Sequence, residues 1–222
     1  MIHTPADPGG FKGIHRGETL WVLASGASLD YIDPAFFDDK TCVCVNKVGL
    51  TLGLREFYTV THYWLDAIIV GEKHPGLPII TTRDCLVTTG PEVAPYEPTD
   101  ANIYKFATGP QMYGAFDPDL HWPEDPDALV VGPTGLHMTM HFAQYLGAAT
   151  IILVGADCGH LGGKSNFTGY AVGDNPMGVW QRTLPGVADQ IRKRGTAVHS
   201  LNPFVNFALE GTSFHSPALT IN

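Results

Sequence analysis

The stretch Leu20-Trp21-Val22-Leu23-Ala24-Ser25-Gly26-Ala27-Ser28-Leu29 decides how this chain is read. An apolar run, Leu20 to Ala24, passes directly into a bend of small residues, Ser25 to Ser28. A strand that is apolar throughout is buried on both faces, the habit of parallel sheets. A small-residue bend at the end of such a strand offers backbone N–H groups and hydroxyls to an anion. Gly26 permits a tight turn and close backbone approach, and Ser28 can donate to phosphate or cap the next element. The same residues also suit an ordinary strand-to-loop turn, so the choice rests on what the rest of the chain brings alongside.

Working outward, strand-like and helix-like segments alternate, which predicts an α/β, Rossmann-like three-layer sandwich with a mostly parallel sheet. Residues 20–25 form the first strand, and Asp33-Pro34 opens a short helical turn through Phe37, since proline suits the first helical position. Cys42 to Asn46 reads as the second strand and Phe57 to His62, rich in β-formers, as the third. A short helix comes next over Trp64 to Val70, then a strand over Pro78 to Thr82. Thr134 to Gly147 is the clearest helix, with Thr134 as N-cap and Gly147 as stop. Thr150 to Gly155 is a β-branched run expected of a central strand. Val179 to Arg194 reads as the last helix, broken or kinked at Pro185-Gly186, and Ala197 to Leu201 as the last strand. The 222 residues make a single domain (1–222) with an irregular, proline-rich insertion at about 90–127 that holds a short strand such as Ile103 to Ala107.

Composition narrows the partners. The net charge is −9 with no basic tract, which argues against nucleic acid. A charged fraction of only 16% predicts a homo-oligomer. No apolar run reaches membrane-spanning length, and residues 1–10 hold no signal-peptide core. Cys42, Cys44, Cys85 and Cys158 have no metal-finger spacing and read as buried, reduced thiols, which predicts a cytoplasmic setting.

In an open parallel sheet, ligands sit beyond the carboxyl ends of the strands. The residues that fall there are Ser25, Gly26, Ala27 and Ser28 after the first strand, Asn46 after the second and His62 after the third. Thr134 and Gly135 open the clear helix, and Asp157 to His160 lie beyond the central strand. An amide such as Asn46 both donates and accepts, which suits a base or ribose; it equally suits a turn cap. Asp157 and His160 bring a carboxylate and an imidazole close together, so either can serve as general base, or Asp157 can simply bond a neighbouring loop. His137 and His141 share a helix face, but without the zinc-protease glutamate they read as structural, and no metal site is predicted. Gly162-Gly163-Lys164-Ser165 lacks the upstream glycine of a P-loop. The stretch Cys158 to Asn175 is rich in glycine, serine and asparagine and reads as a mobile loop over the site, with Lys164, Asn166 and Tyr170 able to reach a ligand.

Ala24-Ser-Gly-Ala-Ser-Leu29, the strand ending at Asn46, Thr134-Gly135 opening a helix, Ile151-Ile-Leu-Val-Gly-Ala-Asp157 and the closing Val198-His-Ser-Leu-Asn-Pro203 occur in an order that resembles the bacterial sialyltransferases of glycosyltransferase family 42 and the related 6-hydroxymethylpterin diphosphokinase-like proteins. The resemblance implies that Ser25, Gly26, Ser28, Asn46, Thr134 and Gly135 surround a nucleotide or nucleotide-sugar, a CMP-sugar in the sialyltransferase case, with a small molecule or glycan as acceptor and no metal requirement. It departs from the family at the first turn, where Ser25 and Ala27 replace Asn and Pro. The family's catalytic histidine near the start of the penultimate helix has no counterpart, since Asn175-Pro176-Met177 stands there. His160 or Asp157 would have to deprotonate the acceptor. Two other expectations stand beside this one: diphosphate transfer from ATP, with Mg²⁺ held by Asp157, and a catalytically silent nucleotide-binding or assembly protein.

Overall fold

A computed structural model describes residues 2–82, 102–111, 122–132, 134–170 and 177–201, with the backbone alone at Trp64, Pro110, Gln111 and 177–182. Its strands are β1 (Thr19–Leu23), β2 (Cys42–Val45), β3 (Tyr58–Val60), β4 (Ile79–Thr82), β5 (Ile103–Gln111), β6 (Ala128–Val131), β7 (Thr150–Val154) and β8 (Ala197–Ser200). They form one sheet in the order β6-β5-β4-β3-β2-β1-β7-β8, and every pairing is parallel. The α/β sandwich read from the sequence is the fold observed.

The helices divide between the two faces. α1 (Val48–Leu52) and α2 (Trp64–Lys73) contribute Val48, Ala67 and Val70 to a core built on Leu23, Cys42, Cys44 and Ile79. α3 (Gly135–Tyr145) and α4 (Met177–Lys193) contribute Met138, Phe142, Val187 and Ile191 to the opposite core, on Leu20, Val22, Val43, Tyr58 and Ile151. From β1 to β6 the chain steps one way along the sheet; β7 and β8 then lie on the far side of β1. Right-handed crossovers place the connecting helices on one face for the first direction and on the other for the second. The alternation of Val43 and Val45 with Cys42 and Cys44 along β2 is that division seen within one strand. Cys42, Cys44 and Cys158 are buried free thiols, and burial pushes the Cys42 thiol up to about 12.

Several elements differ from the expectation. Ile103–Gln111 is a nine-residue strand between β4 and β6. Tyr104 and Phe106 pack into the core there, so this part of the proline-rich stretch belongs to the main sheet. Residues 83–101 and 112–121 lie outside the described residues. β6 is a strand that the sequence does not announce, four apolar residues between proline-rich flanks with no alternation to mark them. α1 is too short to show a helical period. α4 runs unbroken through Pro185. Proline removes one hydrogen bond from a helix, and burial of Leu184, Val187, Ala188 and Ile191 around it holds the helix together. The outer edge of β8 is blunted by Arg192, whose Nη2 donates to the Val198 carbonyl at 2.9 Å.

The amino-terminal end of the sheet is closed by residues 2–17. Phe11 is fully buried, with its ring 4.6 Å from Tyr104 and 5.5 Å from Phe142. The N–H groups of Gly13, His15 and Gly17 donate to the carbonyls of Tyr145, Leu146 and Gly147 at 3.0, 2.8 and 3.1 Å. The carbonyl of Tyr145, the last of α3, and the two just past the helix are thereby satisfied. Beside them His15 bridges Glu18 (2.9 Å) and the Tyr58 hydroxyl (2.8 Å).

Candidate functional site

The strand order reverses at β1, between β2 and β7. In open parallel sheets that switch point opens a crevice outside the carboxyl ends of the strands. Two bends meet there. After β1, the Gly26 N–H donates to the Gly155 carbonyl at 2.7 Å. A side chain on Gly26 would collide with Gly155 O and lie 2.6 Å from the Asp157 carboxylate, so only glycine fits. After β7, Gly155 takes a left-handed φ of 66°, and a side chain there would collide with the Ala24 carbonyl.

Asp157 ties the bends together. One carboxylate oxygen accepts the Ser28 N–H at 2.7 Å and the other the Ser28 hydroxyl at 2.5 Å, with Ser28 wholly buried. Burial pushes the Asp157 carboxyl above the usual range, and the two bonds from Ser28 oppose that rise. This arrangement changes the roles expected of both residues. The donors of the Ser25–Ser28 bend at Gly26 and Ser28 are engaged inside the protein, and Ala27 is buried beside them. Asp157 acts as a clamp across 129 residues of chain, with both oxygens occupied. His160 is exposed in the loop beyond it.

The stretch from Cys158, expected as a mobile loop, is docked as far as Tyr170; residues 171–175 lie outside the described residues. Cys158 has a left-handed φ of 49°. Gly26 and Asn166 form an antiparallel bridge, the Phe167 N–H donates to Ser25 O at 3.0 Å, and Asn166 Oδ1 accepts the Ser25 hydroxyl at 2.9 Å. Asp30 accepts from the Thr168 N–H at 2.7 Å and pairs with Lys164 at 3.4 Å. Phe167 and Tyr170 are buried against each other, with ring centroids 5.4 Å apart. These apolar anchors outweigh the loop-like composition around them.

A second group gathers at the start of α3. Thr134 caps the helix, accepting the Leu136 N–H at 2.9 Å, as its sequence position predicted. The Gly135 N–H has no partner among the described residues. A side chain on Gly135 would stand 3.5 Å from Asn46 Oδ1, so the helix N-terminus abuts the end of β2. Asn46 adopts a left-handed φ of 52°, its N–H donates to Val60 O at 2.9 Å, and its buried Oδ1 has no partner among the described residues. Its side chain contacts the Tyr170 phenol in a way that lowers the phenol's proton affinity, although burial as the larger effect leaves that affinity raised. The structure thus brings Asn46, Gly135, Thr134 and Tyr170 together, as it does Ser25, Gly26, Ser28, Asp157 and Asn166.

His62 is buried at the end of β3, and burial holds its imidazole down at about 4. His137 bonds Thr183 Oγ1 at 3.0 Å, and burial holds it at about 4. His141 accepts the Val130 N–H at 2.9 Å and is held at about 3, chiefly by burial. Both helix histidines are structural. Among the described residues no cluster of three or more His, Cys, Asp or Glu is placed to hold a metal.

Two residues at this edge escape an inventory of strand ends. Lys47, next after Asn46, stands 3.5 Å from Asp66 in the first turn of α2, and 5.6 Å from the centroid of the Tyr170 ring. Burial raises the Asp66 carboxyl, and Lys47 opposes the rise. An inventory extended by one residue past Asn46 and into the first turn of α2 would have found both.

No protein-family model, curated protein or solved structure matches the chain. No helix among the described residues is long and apolar enough to cross a membrane.

Proposed function

We propose that the chain is a nucleotide-dependent transferase that binds its donor, a CMP-sugar or similar nucleotide-sugar, at the carboxyl end of the sheet. The observation that carries this reading is the meeting of the α3 N-terminus with Asn46. A free Gly135 N–H at the positive end of an 11-residue helix favours a phosphate. The partnerless Asn46 Oδ1 beside it suits an amino or hydroxyl group of base or sugar. The Ser25–Ser28 bend and Asp157 shape the wall of that site. The order of motifs that resembles the sialyltransferases supports transfer to a small-molecule or glycan acceptor. Oriented N–H groups then stabilise the leaving phosphate.

A nucleotide panel read by thermal shift tests the reading. CMP is expected to raise the melting temperature without Mg²⁺, and Asn46→Asp is expected to remove most of that rise. Stabilisation by ATP only with Mg²⁺ would favour diphosphate transfer. No response to any nucleotide would overturn the reading. A silent binding protein is favoured by one observation, the engagement of both Asp157 oxygens by Ser28. It would bind CMP and release nothing from a CMP-sugar.

A further inference from the structure

The pairing of Lys47 with Asp66 places a cation at this edge. Lys47 comes directly after a strained left-handed residue, Asn46, and stands in the N-cap position of a five-residue helix without capping it through its side chain. Its ammonium lies by the Tyr170 ring, and Nζ stops 3.5 Å from Asp66 Oδ1. That distance is longer than a good charge-assisted hydrogen bond of about 2.7–2.9 Å. The two partners are also unequal, with 29% of the Lys47 side chain exposed against 12% for Asp66. The carboxylate is therefore the sequestered member and the ammonium the one that reaches solvent. The other cation described along this edge, Lys164, is already held by Asp30 and by Thr168 Oγ1 at 3.1 Å.

Tyr170 links this pair to the site, since its phenol meets Asn46 and its ring meets Lys47. With the Ser28 and Gly26 donors turned inward, the edge needs another source of positive charge to neutralise a phosphate. We infer that Lys47 is the phosphate anchor of this crevice and that Asp66 holds the ammonium in reserve until an anion displaces it. The inference rests on the nucleotide reading for the identity of the ligand, but the anchor itself requires only a phosphate.

The two partners then act in opposite directions, which a merely structural ion pair does not do. Lys47→Met removes the anchor. Asp66→Asn frees it from its competitor. Binding of CMP, cytidine and inorganic pyrophosphate to the full chain by calorimetry separates the cases, with ligand-free melting curves to check folding. Lys47→Met is expected to weaken CMP and pyrophosphate by about tenfold or more, the worth of one hydrogen bond to a charged group. Cytidine, which has no phosphate, should bind as before, and Lys47→Arg should retain most of the CMP affinity. Asp66→Asn is expected to tighten pyrophosphate severalfold.

CMP binding that is equal in wild type and Lys47→Met overturns the anchor and leaves the nucleotide reading standing. Pyrophosphate binding that depends on Lys47, with no response to CMP or to any other nucleotide of the panel, upholds the anchor and overturns that reading. Weaker pyrophosphate binding in Asp66→Asn overturns the reserve role. If wild type binds neither CMP nor pyrophosphate, both inferences fall.

Discussion

At the amino-terminal end of the sheet the carbonyls of Tyr145, Leu146 and Gly147, at the rear of α3, each receive an N–H from the strap of residues 2–17. At the carboxyl-terminal end of the sheet, where α3 begins, the Gly135 N–H finds no acceptor and the neighbouring Asn46 Oδ1 no donor among the described residues. The amino end is also filled with aromatic rings around Phe11, whereas the carboxyl end carries both of the described non-glycine residues with positive φ, Asn46 and Cys158. Strain and open hydrogen-bonding capacity gather where surrounding structure can support them and where a ligand can use them. The contrast sets a filled, fully bonded end against the end at which we propose that the ligand binds.

The largest effect expected is one that spares neither end. His15 and His141 lie toward the amino end, His62 and His137 toward the carboxyl end, and burial holds all four below their ordinary value of 6.5. The unfolded chain takes up protons as pH falls through that value, while His62 and His137 in the native state resist until about 4 and His141 until about 3. Stability is therefore full above pH 6.5 and falls below it, by up to about 1.4 kcal/mol per pH unit for each histidine. Chemical denaturation followed from pH 7.5 to 4.5 should show a steep loss, and a flat profile would mean that these rings are not buried as described.

Phe11→Ala should break the stable end, lowering stability by about 3–5 kcal/mol as buried aromatic truncations do. CMP affinity measured below the melting transition should be unchanged. Equal damage to binding would show that packing around Phe11, and not only the strap's hydrogen bonds to the rear of α3, sets the site. Asp157→Ala should cost about 1–3 kcal/mol, because it strands the buried Ser28 N–H and hydroxyl. It should also weaken CMP binding, since the clamp sets the crevice wall, and a variant that keeps both full stability and full binding would remove the clamp. Asn46→Asp sharpens the comparison from the other side. Aspartate tolerates a left-handed φ but brings a charge to a half-buried position, so stability should fall by about 1–3 kcal/mol. The added charge should weaken CMP by about tenfold, or about 1.4 kcal/mol.

The legibility of the molecule obeys a similar division. β1 and β7 could be read because a run of apolar and β-branched residues ends in glycine and small residues, a local signal of a buried parallel strand. β6 and α1 could not, since four or five residues carry no period. The strand-end rule found Asn46, Thr134, Gly135 and Asp157 because it depends on topology alone. It could not see that Ser28 points at Asp157, for the two are 129 residues apart and only the folded chain brings them into contact. Nor could composition show that Phe167 and Tyr170 pin down a loop of glycine, serine and asparagine. The pairing of Lys47 with Asp66 was hidden for a plainer reason: after the second strand the inventory stopped at Asn46, and it left out the first turn of α2.

α3 spans the distance between the two ends as a single rigid rod, about 16 Å long at 1.5 Å per residue. Gly13, His15 and Gly17 grip its rear, and its tip forms part of the crevice. Trimming the first seventeen residues would thus loosen a mounting rather than merely expose a core, and the tip should lose its aim. A shortened chain that still folds would be expected to bind CMP poorly, although none of the removed residues comes near it.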